Sequence, residues 1–240
     1  MNDFASSVLI TRPEAAAQEF ALRLSQAGVQ ARLVISPLLE IEYLSPPKIQ
    51  GYRGVLFTSR NGVAAMGQSD LPAWCVGDAT AKAASVLGWQ AVSAGGDVQA
   101  LTARVFADQV NGPLLHIRGE HTRGDLAARL SEGGIETQEA VVYRQNALAL
   151  NADAKTVLAQ DMPVILPVFS PRTAKLLARD APFRAPLRIV AISHAVADEF
   201  RDIDCDTLIL AERPDANSML KVVTSLFNTD CRIEDNTDLA

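Results

Sequence analysis

The sequence predicts an α/β fold: two parallel-sheet α/β domains that arise from an internal duplication and are joined by a two-stranded β connector. The first reason is that residues 114–137 (LLHIRGEHTRGDLAARLSEGGIET) repeat the layout of residues 8–31 (VLITRPEAAAQEFALRLSQAGVQA) without a gap. The offset is constant at 106 residues, which places Arg118 on Arg12. Self-similarity at a fixed offset is typical of repeated structural units, and a ligand is then expected between the two copies.

The second reason is that short apolar runs alternate with helical stretches in both halves, as in parallel sheets with helices on both faces. The first predicted helix has clear ends: Pro13 suits its first position, Glu14 meets its positive end and Gly28 suits the residue after its last turn. The expected strands and helices lie, in order, at 8–11, 13–27, 55–58, 61–66, 74–76, 79–87, 98–110, 114–117, 124–130, 164–169, 172–178, 188–192, 195–200, 207–210 and 216–227.

Two segments are too long and extended for a compact unit. Residues 29–44 and 135–150 follow the two copies of the repeat at matched positions. At about 3.3 Å per residue, each could reach about 50 Å, well beyond an ordinary strand. The expected organisation is a discontinuous first domain (1–28 plus 151–228), a continuous second domain (45–134), connector strands (29–44 and 135–150) and a flexible tail (229–240).

Composition and charge exclude several classes of function. Hydrophobic residues make up 48% of the chain and charged residues 21%, as in ordinary globular proteins. A net charge of −6 with scattered basic residues argues against a nucleic-acid surface. No apolar run approaches the roughly 18 residues of a membrane span, and the start MNDFASSV lacks the pattern of a signal peptide. We therefore expect a cytoplasmic protein that binds neither nucleic acid nor a membrane.

The turns that follow the predicted strands are rich in hydroxyl groups. Ligands of open parallel sheets sit beyond the carboxyl ends of the strands, where helix N-termini offer N–H groups. The sequence contains no G-x-G-x-x-G or G-x-x-x-x-G-K-[ST] motif, so a dinucleotide or nucleoside triphosphate is not indicated. Hydroxyls, backbone amides and arginines suit carboxylate groups instead, although each hydroxyl could equally be only a helix cap. The candidate binding residues are Arg12, Thr58, Ser59, Asn61, Thr80, Arg118, Ser170 and Ser193.

Other kinds of active site find little support. His116 and His121 are too few for a zinc site and share no face, so we expect no metal. No G-x-S-x-G turn surrounds Ser59 or Ser170, which argues against a serine hydrolase. Tyr143 lies in the second connector segment, where it could be an ordinary strand aromatic.

The segments VLITRP, VLFTSRNGV, WCVGDATAKAA, LLHIRGEHTRGDLAARL, GIETQEAVVYRQ and PVFSPRTAKLL, in this order and spacing, resemble the uroporphyrinogen-III synthase family. The resemblance runs from Val8 to about Phe227. It implies two α/β domains joined by a two-stranded ladder, with an active cleft between them. It also implies a lyase that closes the linear tetrapyrrole hydroxymethylbilane to uroporphyrinogen III, with inversion of ring D and loss of water. Families of this kind use no metal and no cofactor.

The resemblance also assigns roles to residues. The tyrosine of the V-Y-R segment falls on Tyr143, which would assist departure of the substrate hydroxyl. One departure is Ala195, which stands where the second copy would often carry another threonine, so that Ser193 or a backbone amide would serve there. The remaining matches are Arg12 in T-R, Thr58, Ser59 and Asn61 in F-T-S-R-N, Thr80 in V-G-x-x-T-A, and Ser170 in F-S-P.

The implied partner is the carboxylate-rich linear tetrapyrrole. The resemblance favours a monomer that contacts the preceding enzyme of the pathway only transiently. The alternative reading is a non-catalytic two-domain small-molecule binding or sensory protein of the periplasmic-binding type, which also closes two α/β bodies on a ligand.

Overall fold

Buried aliphatic strands alternate with helices in the computed structural model, which describes residues 5–121 and 124–234. The chain forms two compact units. The first unit contains the chain up to Glu40 and from Ala147 onward, and the second unit runs from Ile41 to Asn146. In chain order the strands and helices are β1 (Ser7–Ile10), α1 (Glu14–Gln26), β2 (Arg32–Ile35), β3 (Leu39–Tyr43), β4 (Gly54–Phe57), α2 (Arg60–Met66), β5 (Pro72–Cys75), α3 (Asp78–Val86), β6 (Gln90–Ser93), α4 (Val98–Ala107), β7 (Leu114–Gly119), α5 (Leu126–Glu132), β8 (Thr137–Ala147), α6 (Ala152–Leu158), β9 (Val164–Val168), α7 (Pro171–Ala178), β10 (Leu187–Ala191), α8 (His194–Ala197), β11 (Thr207–Leu210) and α9 (Ala216–Glu234).

The first unit is built on a parallel sheet with the strand order β11-β10-β9-β1-β2. Every residue of β1 and β9 is buried, as expected for central parallel strands with both faces covered. Helices α1 and α9 pack on the face that carries Val8 and Ile10, whereas α6, α7 and α8 pack on the face that carries Leu9. The chain therefore turns to opposite faces after β1 and after β9, which makes the β1/β9 edge the topological switch point.

The second unit has the strand order β3-β8-β7-β4-β5-β6, in which β4 to β8 are parallel to one another. Helices α2 and α3 cover the face of Val55 and Phe57, and helices α4 and α5 cover the face of Leu56 and Leu114. The switch point of this sheet lies between β4 and β7, because β4 leads into α2 on one face and β7 leads into α5 on the other.

The predicted fold class is confirmed: both sheets are dominated by parallel strands with helices on both faces. Five strands follow the same order in each unit, with β2-β1-β9-β10-β11 matching β8-β7-β4-β5-β6. This order agrees with the sequence repeat, which aligns β1 with β7. That the two units arose by duplication of one ancestral unit stays a prediction.

The structure divides the expected connector segments differently. Within residues 29–44, β2 pairs with β1 over four positions and so belongs to the first sheet, while β3 pairs with β8. Strand β8 in turn lies beside β7 in the second sheet. The chain passes from one unit to the other at Glu40 and again at Asn146. The first part of the first unit thus ends at residue 40, where residue 28 was expected, and its second part begins at residue 147, where residue 151 was expected.

The end of the chain also differs from the expected flexible tail over 229–240. Helix α9 continues to Glu234, and residues 235–240 lie outside the described residues. The structure contains two elements that the sequence did not predict, strand β6 and helix α6. Strand β6 is an edge strand with no fully buried residue, so it lacks the continuous apolar run on which the prediction depends.

Candidate active site

The switch point of the first unit brings Arg12 and Ser170 to neighbouring strand ends. The guanidinium carbon of Arg12 lies 4.0 Å from the centre of the Phe169 ring, and that ring meets Phe20 edge to face at 5.0 Å. The aromatic pair holds a permanent cation at the carboxyl end of β1, which suits an anionic ligand group.

Ser170 is the N-cap of α7. Its Oγ accepts a hydrogen bond from the backbone N–H of Thr173 at 3.1 Å and lies 2.8 Å from the Thr173 hydroxyl oxygen. Ser193 occupies the same position at the start of α8, but its side chain makes no cap bond there. Helix capping therefore accounts for one of the two side-chain hydrogen bonds of Ser170. It does not occupy the Ser193 side chain.

In the second unit, Thr58, Ser59 and Asn61 form the turn between β4 and α2. The Oγ of Ser59 accepts from the backbone N–H of Asn61 at 3.1 Å and caps the helix. Thr80 lies in the first turn of α3, after the neighbouring strand β5, and its side chain is buried. These residues gather at the carboxyl ends of adjacent strands, as the sequence predicts.

Tyr143 lies against Gly119 at a break in the β7/β8 pairing. Arg118 pairs with Val141 but Gly119 pairs with Tyr143, so Val142 is an extra residue on β8. This β-bulge shifts the alternation of β8, and both Val142 and Tyr143 join the core cluster around Phe57. A Cβ at position 119 would lie 2.5 Å from Cζ of Tyr143 and 2.9 Å from its hydroxyl oxygen. The glycine thus provides the space that the phenol occupies.

A row of polar side chains crosses β4, β7 and β8 on the α4/α5 face. Oγ1 of Thr58 lies 3.2 Å from Nε2 of His116, and Nδ1 of His116 lies 3.2 Å from Oε1 of Glu139. The other oxygen of Glu139, Oε2, lies 3.0 Å from Nε of Arg118. Arg118 also donates through Nη1 to the carbonyl oxygens of Gly119 and Glu120, at 3.0 and 3.3 Å.

His116 is 2% exposed, and this burial lowers its pKa below the ordinary value of 6.5, although Glu139 acts in the opposite direction. The imidazole is therefore neutral at pH 7. The sequence indicated no role for His116 and did not single out Glu139. Their partnership depends on the β7/β8 register, which sets them directly opposite one another.

Cys75 of the second unit also has a perturbed pKa. Burial raises the pKa of its thiol to about 12, which leaves it protonated and unreactive at neutral pH. Within residues 5–121 and 124–234, no three His, Cys, Asp or Glu side chains lie close enough together to hold a metal ion. No helix in the same part of the chain is long and apolar enough to cross a membrane.

These features define a two-unit, doubly wound α/β protein whose hydroxyl and arginine side chains collect at the carboxyl ends of parallel strands. A family model for uroporphyrinogen-III synthase HemD matches residues 18–221, and the chain belongs to this family.

Solved structures agree with that assignment at the level of the fold. Uroporphyrinogen-III synthetase from Helicobacter pylori superposes with a TM-score of 0.67 at 19% identity, over 92% of this chain and 99% of that chain. A mutant uroporphyrinogen III synthase from the extremely thermophilic bacterium Thermus thermophilus gives a TM-score of 0.51 at 13% identity, over 93% and 99% of the two chains. A search of curated protein sequences finds no match.

The contact between Gly119 and Tyr143 predicts a coupled effect on stability. Gly119→Ala should lower the free energy of unfolding by about 1–3 kcal/mol, because the added methyl group overpacks the ring. In a Tyr143→Ala background the same change should cost little, because the ring is gone. Urea unfolding of the unchanged protein, the two single variants and the double variant measures the coupling. Equal costs of Gly119→Ala in both backgrounds would show that the ring does not occupy this space.

The buried histidine predicts a pH dependence of stability. Below its ordinary pKa of 6.5, the unfolded chain binds a proton at His116 that the folded chain resists. The free energy of unfolding should therefore fall as the pH drops from about 6.5 towards 5. His116→Gln should weaken this dependence of the free energy of unfolding on pH. His121→Gln, at a more exposed histidine, serves as the control. The same change in the free energy of unfolding with pH in His116→Gln and in the unchanged protein would contradict the prediction.

Proposed function

We propose that the protein converts hydroxymethylbilane to uroporphyrinogen III, with inversion of ring D and loss of water, in tetrapyrrole (haem) biosynthesis. The family match over residues 18–221 carries this proposal. In reaction terms the protein is a cyclising hydro-lyase, acting as a cytoplasmic monomer that contacts the preceding enzyme of the pathway only transiently.

The chemistry suits the small number of charged groups at the strand ends. The electron-rich substrate loses hydroxide to give an azafulvene without strong acid catalysis. The main task of the protein is then to hold the chain so that ring D reacts at its substituted carbon, which is catalysis by orientation. Hydroxyl groups, backbone amides and arginines can hold carboxylates without introducing a strong nucleophile.

Tyr143 is proposed as the catalytic residue. Its phenol would donate a hydrogen bond to the leaving hydroxyl of the substrate, as a tyrosine hydroxyl can. Support comes from its position beside Gly119, where the bulge and the missing Cβ fix the ring at the carboxyl end of β7. A ring held in one place loses little further freedom when the substrate binds.

The proposed substrate-binding residues fall into two groups, one in each unit. Arg12, Ser170 and Ser193 follow strands of the first sheet, and Arg12 would hold a substrate carboxylate through its guanidinium. In the second sheet the group is Thr58, Ser59, Asn61, Thr80 and Arg118. Nε of Arg118 already pairs with Glu139, and Nη1 donates to two backbone carbonyl oxygens, so its share in binding would be through Nη2.

The direct test is to incubate the purified protein with freshly prepared hydroxymethylbilane and to resolve the isomers formed. Uncatalysed closure gives isomer I, so the proposed function requires isomer III as the main product. A product mixture equal to that of the protein-free control would refute it.

Tyr143→Phe should slow the reaction while leaving the fold intact, because it removes the hydroxyl and keeps the ring packing. General-acid assistance is worth roughly 10²–10⁴-fold, and a substrate that ionises readily should show the low end or less. Initial rates and the ratio of isomer III to isomer I are measured together. Full rate and selectivity in a folded variant would remove Tyr143 from the mechanism.

Arg12→Gln should raise KM by about 10- to 100-fold, the range expected for loss of a charge-assisted hydrogen bond. The matched control is Arg32→Gln, since Arg32 is an exposed arginine of the same unit that pairs with Asp153 at 3.4 Å. Equal KM values for the two variants would show that Arg12 binds no substrate carboxylate.

A further inference from the structure

The row of side chains from Thr58 to Glu139 has a defined order. Thr58 follows β4, His116 lies on the adjacent β7, and Glu139 lies directly across from His116 on β8. The histidine contacts the threonine hydroxyl through Nε2 and the carboxylate through Nδ1, each at 3.2 Å. A hydroxyl, an imidazole and a carboxylate are thus linked in series across three neighbouring strands.

The direction of each hydrogen bond follows from the carboxylate end. Glu139 forms an ion pair with Arg118 at 3.0 Å, and an ionised carboxylate can only accept hydrogen bonds. The proton of the imidazole therefore lies on Nδ1 and points to Glu139. Burial keeps the ring neutral, so Nε2 carries a lone pair and accepts the hydroxyl proton of Thr58.

We propose that Glu139 and His116 are positioning residues that turn the hydroxyl proton of Thr58 inward, so that Thr58 accepts a hydrogen bond from an N–H group of the bound ligand. The identity of that ligand rests on the proposed function, in which the N–H group is that of a pyrrole ring. Thr58 is partly exposed and can be reached by such a group.

The hydroxyl of the neighbouring Ser59 has the opposite role, as a hydrogen-bond donor to the ligand. Its oxygen accepts from the backbone N–H of Asn61, which leaves its proton available for a carboxylate oxygen. Thr58 and Ser59 therefore offer an acceptor and a donor side by side. A substituted pyrrole presents the complementary pair, a ring N–H and a carboxylate on a side chain. On this assignment Thr58 would serve the ring N–H group and Ser59 a carboxylate.

The assignment is tested first without substrate, by ¹⁵N NMR of the protein labelled in its histidine side chains. The signals of His116 are assigned by their loss in His116→Gln. At pH 7.5 the ring should be neutral with its proton on Nδ1. A proton on Nε2, or a charged ring, would overturn the proposal whether or not the protein is active.

The second test compares the steady-state kinetic constants of variants at Thr58 and Glu139, the two ends of the hydrogen-bonded series. Thr58→Val removes the acceptor, and Glu139→Gln removes the charge that fixes the proton on Nδ1. Each should raise KM about 5- to 10-fold with kcat within about twofold, and the double variant should be no worse than the single ones, because both remove the same hydrogen bond. Thr58→Ser, which keeps the acceptor, should raise KM less than Thr58→Val.

Thr102→Val is the matched control, because the Thr102 hydroxyl is also hydrogen-bonded, to the Val98 carbonyl oxygen at 2.8 Å, but lies within α4. A purely structural role would lower the melting temperature of Thr58→Val and leave its KM unchanged, which would refute the proposal. If the unchanged protein forms no isomer III, the proposed function fails, and the NMR result still decides the proton position.

Discussion

Both sheets are parallel and covered by helices on both faces, and this constraint decides where polar chemistry can lie. The central strands β1, β4 and β9 are buried along their whole length, so they carry almost no groups that could meet a ligand. In these central strands, polar side chains become accessible only where the strand ends and the chain turns towards its helix. The switch points at β1/β9 and β4/β7 are where two such turns diverge, and the candidate residues collect around them.

His116 is an exception to this rule, because it is a buried polar residue in the interior of β7. A buried imidazole without partners would cost several kcal/mol of desolvation, so its neighbours must satisfy both ring nitrogens. Thr58 and Glu139 do so from the strands on either side. The need to satisfy one buried group thus links three neighbouring strands, and Arg118 completes the arrangement by balancing the carboxylate.

The sequence predicts the fold class and the position of the hydroxyl-rich turns, because both depend on local signals. Alternating apolar runs mark the buried strands, and the repeat aligns β1 with β7 before any pairing is known. The sequence does not predict features that depend on register. The bulge that redirects Tyr143 needs the pairing of Gly119 on β7, and the contact of His116 with Glu139 joins residues 23 positions apart. The division of residues 29–44 between two sheets likewise follows from strand pairing rather than from local propensity.

The arrangement of the first unit has a consequence for the order of events on the ribosome. Strand β1 is made early, yet one of its two neighbours in the sheet is β9, which begins at Val164. The second unit is contiguous and is fully synthesised by Asn146, so it can fold before β9 exists. Until then β1 has only β2 beside it, and its other edge carries unpaired backbone groups. The edge of β1 that β9 later covers therefore stays unpaired while an entire domain is completed.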